Sequence, residues 1–189
     1  MQPRMTKPEL ELYSRVISTA RNYLEFGSGG STCYAASRVA ERIVTLDSSA
    51  EWLNDVAEWC RTAGGLQPRT IFVDIGPTGA WGVPTDKASQ FRWPDYHSHV
   101  WATEDANSFD TFLVDGRFRV ACFMQTVLRA KPGSTIMFHD FTNREHYHVV
   151  LPFVQAVETA GTLGVFRVTA EFDRMAAQKV WQKHMFIHA

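Results

Sequence analysis

Tyr23-Leu24-Glu25-Phe26-Gly27-Ser28-Gly29-Gly30-Ser31 decides the fold class. A short apolar run stops at clustered glycines, and Ser31 or Thr32 then opens a stretch with helical character to about Val39. Glycine tolerates positive φ and lets other groups approach the backbone closely, so the stretch predicts a strand, a sharp turn and a helix. The same alternation continues outward. Arg42 to Leu46 reads as a second strand ending at Asp47, followed by caps at Ser48 and Ser49 and a helix with Trp52, Val56, Trp59 and Cys60 as its buried stripe. Thr70 to Val73, Phe109 to Val114 and Ser134 to Phe138 are strands ending at Asp74, Asp115 and His139-Asp140. Upstream, Lys7 to Arg21 has helical spacing, with Thr6 as cap and Pro8 in the first turn. Downstream, helices are expected over Phe118 to Leu128, Val149 to Ala160 and the tail from Asp173, with a sixth strand over Leu163 to Thr169. The predicted class is α/β: a Rossmann-like, doubly wound, mostly parallel sheet of about six or seven strands with helices on both faces.

One domain spanning 1–189 is expected from the length, with 45% hydrophobic and 21% charged residues. Nineteen Lys+Arg against twenty Asp+Glu leave a formal charge of -1, which argues against a general grip on nucleic acid. No run reaches the ~20 apolar residues of a membrane span, and the start lacks a signal-peptide core. Cys33, Cys60 and Cys122 are odd in number and widely spaced, pointing to reduced thiols and a cytoplasmic chain. Cys33 and Cys122 read as packing residues inside helices.

Asp47, Asp74, Asp115 and Asp140 end strands, and Glu25 precedes the glycine turn. Each alone reads as a cap or turn residue. Together they line one rim of the sheet, where open α/β folds bind ligands beside strand one. A dinucleotide fingerprint would need glycine at position 32, where Thr32 stands. Glu25 also suits a ligand carrying a positive group better than a pyrophosphate. Asp47, twenty residues after Gly27, suits a pair of ribose hydroxyls.

The run Glu25 to Ser31 resembles the acidic-x-Gly-x-Gly signature of class I S-adenosylmethionine-dependent methyltransferases. Asp74-Ile75-Gly76-Pro77-Thr78-Gly79-Ala80-Trp81-Gly82, Leu113 to Ala121, and His139-Asp140-Phe141 with Arg144 and Tyr147 are similar to a bacterial methyltransferase-like group. The similarity spans roughly 22–170, and Ser31 departs from it where many members carry a third glycine. The resemblance implies S-adenosyl-L-methionine as cofactor. Glu25, Gly27, Ser28 and Gly29 would line its methionine and ribose, Asp47 would take the ribose hydroxyls, and Asp74 and Ile75 would lie at the adenine.

Methyl transfer to oxygen or nitrogen needs an aligned acceptor and removal of its proton. Asp115, His139 and Asp140 are the candidate catalytic groups. Asp115 and Asp140 also offer hard oxygen ligands, so Mg²⁺ stays open beside metal-free chemistry with His139 as base. Trp81, Arg117 and Tyr147 are candidate acceptor-binding residues, Arg117 as a clamp for an anion. The non-periodic connection from Ile75 to Ser108 is a candidate acceptor lid. The pairs His97-x-His99 and His146-x-His148, and His184 with His188, read as surface histidines. Expected partners are a small-molecule acceptor, with no nucleic acid and no membrane; a homodimer stays open. The competing reading is a methyltransferase-fold protein that binds a nucleoside or a partner without catalysis. An NAD-dependent oxidoreductase is disfavoured by Glu25 and Thr32. A nucleic-acid methyltransferase is disfavoured because Asp115-Gly116-Arg117-Phe118 stands where an Asn/Asp-Pro-Pro-aromatic tetrapeptide would.

Overall fold

The computed structural model describes residues 1–188; Ala189, the last residue of the expected tail helix, lies outside them. Seven strands form one sheet: β1 Asn22–Phe26, β2 Arg42–Asp47, β3 Arg69–Phe72, β4 Thr111–Val114, β5 Thr135–Phe138, β6 Val154–Ala160 and β7 Leu163–Val168. Their spatial order is β3-β2-β1-β4-β5-β7-β6. Strands β1 to β5 run parallel, while β7 is antiparallel to both β5 and β6. Strand order reverses at β1, which sits between β2 and β4, so the rim beyond Phe26 is the topological switch point.

Two apolar layers fix the strand register. Leu24, Phe26, Val44, Leu46, Phe112, Val114, Ile136 and Phe138 pack on one face, and Tyr23, Ile43, Leu113 and Met137 on the other. The period-two alternation of a strand therefore turns Glu25 and Asp47 to the same face as Tyr23 and Ile43. Helices α1 Lys7–Ile17, α2 Gly30–Ala36 and α3 Ala50–Thr62 belong to that side. Helix α5 Arg119–Arg129 and the terminal helix α6 Arg174–His184 cover the other, after a single α turn, α4 Asp95–Ser98. Capping explains where several begin. Thr6 and Glu9 form a capping box before α1, Ser49 Oγ accepts from Trp52 N–H at 3.2 Å, and Asp173 accepts from Ala176 N–H at 2.9 Å.

Four expectations need correction. Residues 149–160 are not a helix: Glu145–Phe153 is a 3₁₀ stretch carrying Pro152, and β6 follows. Proline interrupts an α-helix, and Val154, Val157 and Thr159 are β-branched. Gly161, at φ +55, then turns the chain directly into β7. In α3 the buried stripe is Leu53, Val56 and Cys60, while Trp52 and Trp59 are exposed. The connection 75–108 is not uniformly loop-like. Trp93, Tyr96, Val100 and Ala106 in its second half are core residues, and Glu104 is buried against Arg42 and Arg69. His97 and His184 are buried rather than on the surface. Trp181 Nε1–H donates to His97 Nδ1 at 3.3 Å, and His97 Nε2 lies 3.3 Å from Met185 O, tying α6 to the connection. Burial pushes the His97 pKa down to about 4.

Candidate functional site

The strand ends hold two polar groupings on either side of β4. The first lies around the turn after β1. A Cβ on Gly27, at φ +96, would collide with Gly116 Cα, so the turns after β1 and β4 touch backbone to backbone. A Cβ on Gly29 would meet only Trp52 Cζ2, at 3.9 Å, leaving room beside that residue. Asp47 sits at the end of β2 and accepts from Ser28 N–H at 3.2 Å and Ser49 N–H at 3.1 Å, joining the turn to the start of α3. Burial raises the Asp47 pKa, opposed by those backbone bonds and by Arg117. Ser28 Oγ, Ser48 Oγ and Arg117 Nε are buried without a hydrogen-bond partner. Gly82 comes down on this group, its Cβ position 3.2 Å from Ser48 Oγ and 3.8 Å from Arg117 Cγ. The Tyr96 hydroxyl packs directly on Gly116.

Glu25 does not line this crevice. Its side chain is fully buried beneath the turn, accepting from Ser31 Oγ and from Thr32 Oγ1, the latter at 2.7 Å. Burial pushes its pKa up to about 8, against the pull of the Ser31 and Thr32 hydroxyls. At neutral pH the group is largely an uncharged acid that fixes the start of α2. Tyr13 and Tyr23 share the same pocket, with their hydroxyls 3.2 Å apart.

The second grouping lies beyond β4 and β5. His139 Nδ1 is 3.0 Å from Asp115 Oδ1, and its Nε2, buried and without a hydrogen-bond partner, is 3.9 Å from Glu9 Oε2. Burial works against a proton on His139, but Asp115 and Asp140 outweigh it and raise the pKa. Burial likewise opposes ionisation of Asp115, but the His139 bond and Arg119 hold it below the ordinary range. Arg119 is almost fully buried. It donates to Gly116 O at 2.9 Å, His139 O at 2.8 Å and Asp140 Oδ2 at 3.0 Å, and stands 3.2 Å from Asp115 Oδ1. Arg144 completes the set, donating to Asp140 Oδ2 and to the Tyr147 hydroxyl, each at 2.9 Å. Glu9, Asp115 and Asp140 are thus matched by His139, Arg119 and Arg144.

This matching bears on several expectations. Asp115 and Asp140 face guanidinium groups, and no cluster of three or more His, Cys, Asp or Glu suited to a metal occurs among the described residues. The donor set does not fit Mg²⁺. Neither ring nitrogen of His139 is open to an acceptor. Tyr147 has no exposed surface and stacks on Phe138 at 4.7 Å. Ile75 is buried in the core, and Asp74 is exposed, accepting from Gly76 N–H at 2.9 Å and pairing with Arg92 at 2.5 Å. Trp81 lies at the rim, exposed, with Arg4 stacked 4.5 Å over its ring. The structure therefore brings Ser28, Gly29, Asp47 and Arg117 together, gathers Asp115, His139 and Asp140 into the neighbouring cluster, and sets Glu25, Ile75 and Tyr147 behind them.

Sequence reasoning missed Glu9, which anchors α1 to the β6–β7 hairpin by accepting from Thr162 N–H at 2.6 Å and Thr162 Oγ1 at 2.7 Å. Its signal was present as Thr6-x-x-Glu9, a capping-box spacing. Trp52 was also misplaced: its indole N–H donates to Ser28 O at 2.8 Å, beside the turn.

The strand order, the antiparallel β7 and a glycine turn at the β1 switch point define the class I methyltransferase fold. A methyltransferase-like protein of Silicibacter pomeroyi superposes with a TM-score of 0.88 at 30% identity, over 98% of this chain and 97% of that one. The chain belongs to this methyltransferase-like family. More distant structures share the fold alone. The N-methyltransferase NodS of Bradyrhizobium japonicum in complex with S-adenosyl-L-homocysteine has 17% identity and TM-score 0.54, covering 89% of this chain and 90% of that one. An RNA methyltransferase of Salinibacter ruber, also with S-adenosyl-L-homocysteine, has 12% identity and TM-score 0.53, covering 90% and 97%. No protein-family model and no curated protein matches the chain.

Proposed function

We propose that the chain binds S-adenosyl-L-methionine against the β1 turn and transfers its methyl group to the oxygen or nitrogen of a small-molecule acceptor. The observation that carries this reading is the polar grouping at the strand ends: room beside Gly29, the Asp47 carboxylate, and buried Ser28 Oγ, Ser48 Oγ and Arg117 Nε without partners. Buried polar atoms of this kind normally have partners, so their convergence fits a polar ligand. Asp47 would take the ribose hydroxyls, and the Gly27–Gly29 backbone would lie against the methionine portion. Bound there, the cofactor supplies an electrophilic methyl group on a sulfonium.

The chain's own contribution is positional. Glu25 holds the turn from beneath through Ser31 and Thr32. Gly82, in the exposed half of the connection, covers Ser48 and Arg117 and would exclude water there. Arg117, whose Nε lacks a partner, suits an acceptor bearing a negative group. Asp115, His139 and Asp140 set the field at the crevice wall as a charge-matched cluster. An acceptor that arrives already deprotonated, or as a neutral amine, suits such a wall because proper alignment is then the main requirement.

A second reading, ligand binding without turnover, draws on the same matching: Asp115 and Asp140 already pair with Arg119, and His139 Nδ1 is engaged by Asp115. The two separate on one experiment. The chain is incubated with methyl-labelled S-adenosyl-L-methionine and panels of carboxylates, phenols and amines, and both label transfer and S-adenosyl-L-homocysteine release are followed. Transfer dependent on Asp47 and Arg117 is the expected result. Saturable cofactor binding with no transfer to any panel leaves the non-catalytic reading standing.

A further inference from the structure

Away from the strand-end rim, Cys33 of α2 and Cys60 of α3 face one another with their Sγ atoms 3.7 Å apart. Cys33, itself buried with 9% of its surface exposed, lines a surface cavity of about 410 Å³ with Tyr34, Arg38, Trp59 and Thr62. Cys60 lies fully buried behind it. The Cys60 thiol donates to the Cys33 sulfur, which lowers the Cys33 pKa and raises that of Cys60. Cys122 provides a contrast. It is buried and is not paired with another sulfur; its thiol donates to Arg117 O at 3.4 Å, and burial raises its pKa.

We propose that Cys33 and Cys60 are a hydroperoxide-reactive thiol pair, with Cys33 as the attacking sulfur at the cavity and Cys60 as the resolving sulfur behind it. A thiolate, not a thiol, is the nucleophile, and reactive cysteines sit where solvent reaches them. In the first step the Cys33 thiolate attacks one oxygen of a hydroperoxide. An S–O bond forms, the O–O bond breaks, and the departing alkoxide takes up the proton that Cys33 released, leaving Cys33 as a sulfenic acid. In the second, the Cys60 sulfur attacks the Cys33 sulfur. The S–S bond forms, the S–O bond breaks, and the hydroxyl group leaves with the Cys60 proton as water. Two thiols and one hydroperoxide give one disulfide, one alcohol and one water; the thiols lose two electrons and the O–O bond gains them. The sulfurs must close from 3.7 Å to about 2.05 Å for the bond to form.

The test uses the full chain, natively folded, with hydrogen peroxide as the probe and mass spectrometry as the readout. The expected result is a loss of two hydrogens from the intact mass, a Cys33–Cys60 linked peptide, and full reversal by dithiothreitol. Cys33 should react roughly tenfold or more faster than Cys122. In Cys60→Ser the second step is blocked, and a cyclic 1,3-dione should trap sulfenic acid at Cys33. A linked peptide that forms only after guanidinium unfolding, or equal rates at Cys33 and Cys122, would overturn the proposal. Both readouts are made on the unsubstituted chain, so neither depends on a variant folding.

Discussion

Glu25 and Gly29 show how single residues set the behaviour of the crevice. The folded Glu25 pKa, about 8, lies above its ordinary 4.5. The folded chain therefore keeps a proton that the unfolded chain has released, and this group's contribution to stability falls as pH rises between those values. The slope is at most on the order of 1 kcal/mol per pH unit. In Glu25→Gln the loss of stability between pH 5 and 8 should be shallower than in the parent, measured as urea midpoints across that range. An identical slope would mean that Glu25 is ionised in its pocket. The two glycines make a contrasting pair. Gly27→Ala forces a Cβ onto Gly116 at φ +96 and should cost about 3 kcal/mol of stability. Gly29→Ala meets only Trp52 at 3.9 Å, so its stability should stay within about 0.5 kcal/mol of the parent. Its affinity for S-adenosyl-L-homocysteine should fall by roughly tenfold or more, read by calorimetric titration.

At the scale of elements, the long connection is pinned at its far end, away from the ligand rim. Glu104, with its side chain buried, pairs with Arg42 at the start of β2 and Arg69 at the start of β3. Glu104→Ala should destabilise the chain by about 3 kcal/mol in urea unfolding, because two cations lose their buried partner. It should leave ligand affinity unchanged, since nothing at the crevice contacts Glu104. The parallel half of the sheet was legible in the sequence because each strand ends in a punctuating residue: Gly27, Asp47, Asp74, Asp115 and Asp140. Residues 149–160 misled because Val149, Phe153 and Val157 keep helical spacing; Pro152 and the Gly161 turn were the stronger signals, and pairing with β7 decided the outcome. In α3, Trp52 and Trp59 shared the period of the buried stripe but lie at its edges, a distinction that periodicity alone does not make. The strand-end acids were legible as a set. Their partners were not, because Arg119 and Arg144 reach them from two different elements, while Glu9 approaches His139 from a third.

Over the whole molecule, a near-neutral chain of 189 residues ends its parallel strands in acids on one rim and pairs Asp115 and Asp140 there internally. At the ends of β1, β2 and β4, Asp47 accepts from the Ser28 backbone, and Ser28 Oγ, Ser48 Oγ and Arg117 Nε are buried without a hydrogen-bond partner. No helix among the described residues is long and apolar enough to cross a membrane. The chain shares a family with a 30% identical methyltransferase-like protein, and the proposed cofactor site rests on the local geometry of the β1 turn. The most direct test is calorimetric titration of the parent chain and Asp47→Ala with S-adenosyl-L-homocysteine, alongside NAD. Saturable binding by the parent at one equivalent, weakened roughly tenfold or more in Asp47→Ala, is the predicted result. No heat with S-adenosyl-L-homocysteine, or tighter binding of NAD, would contradict the assignment.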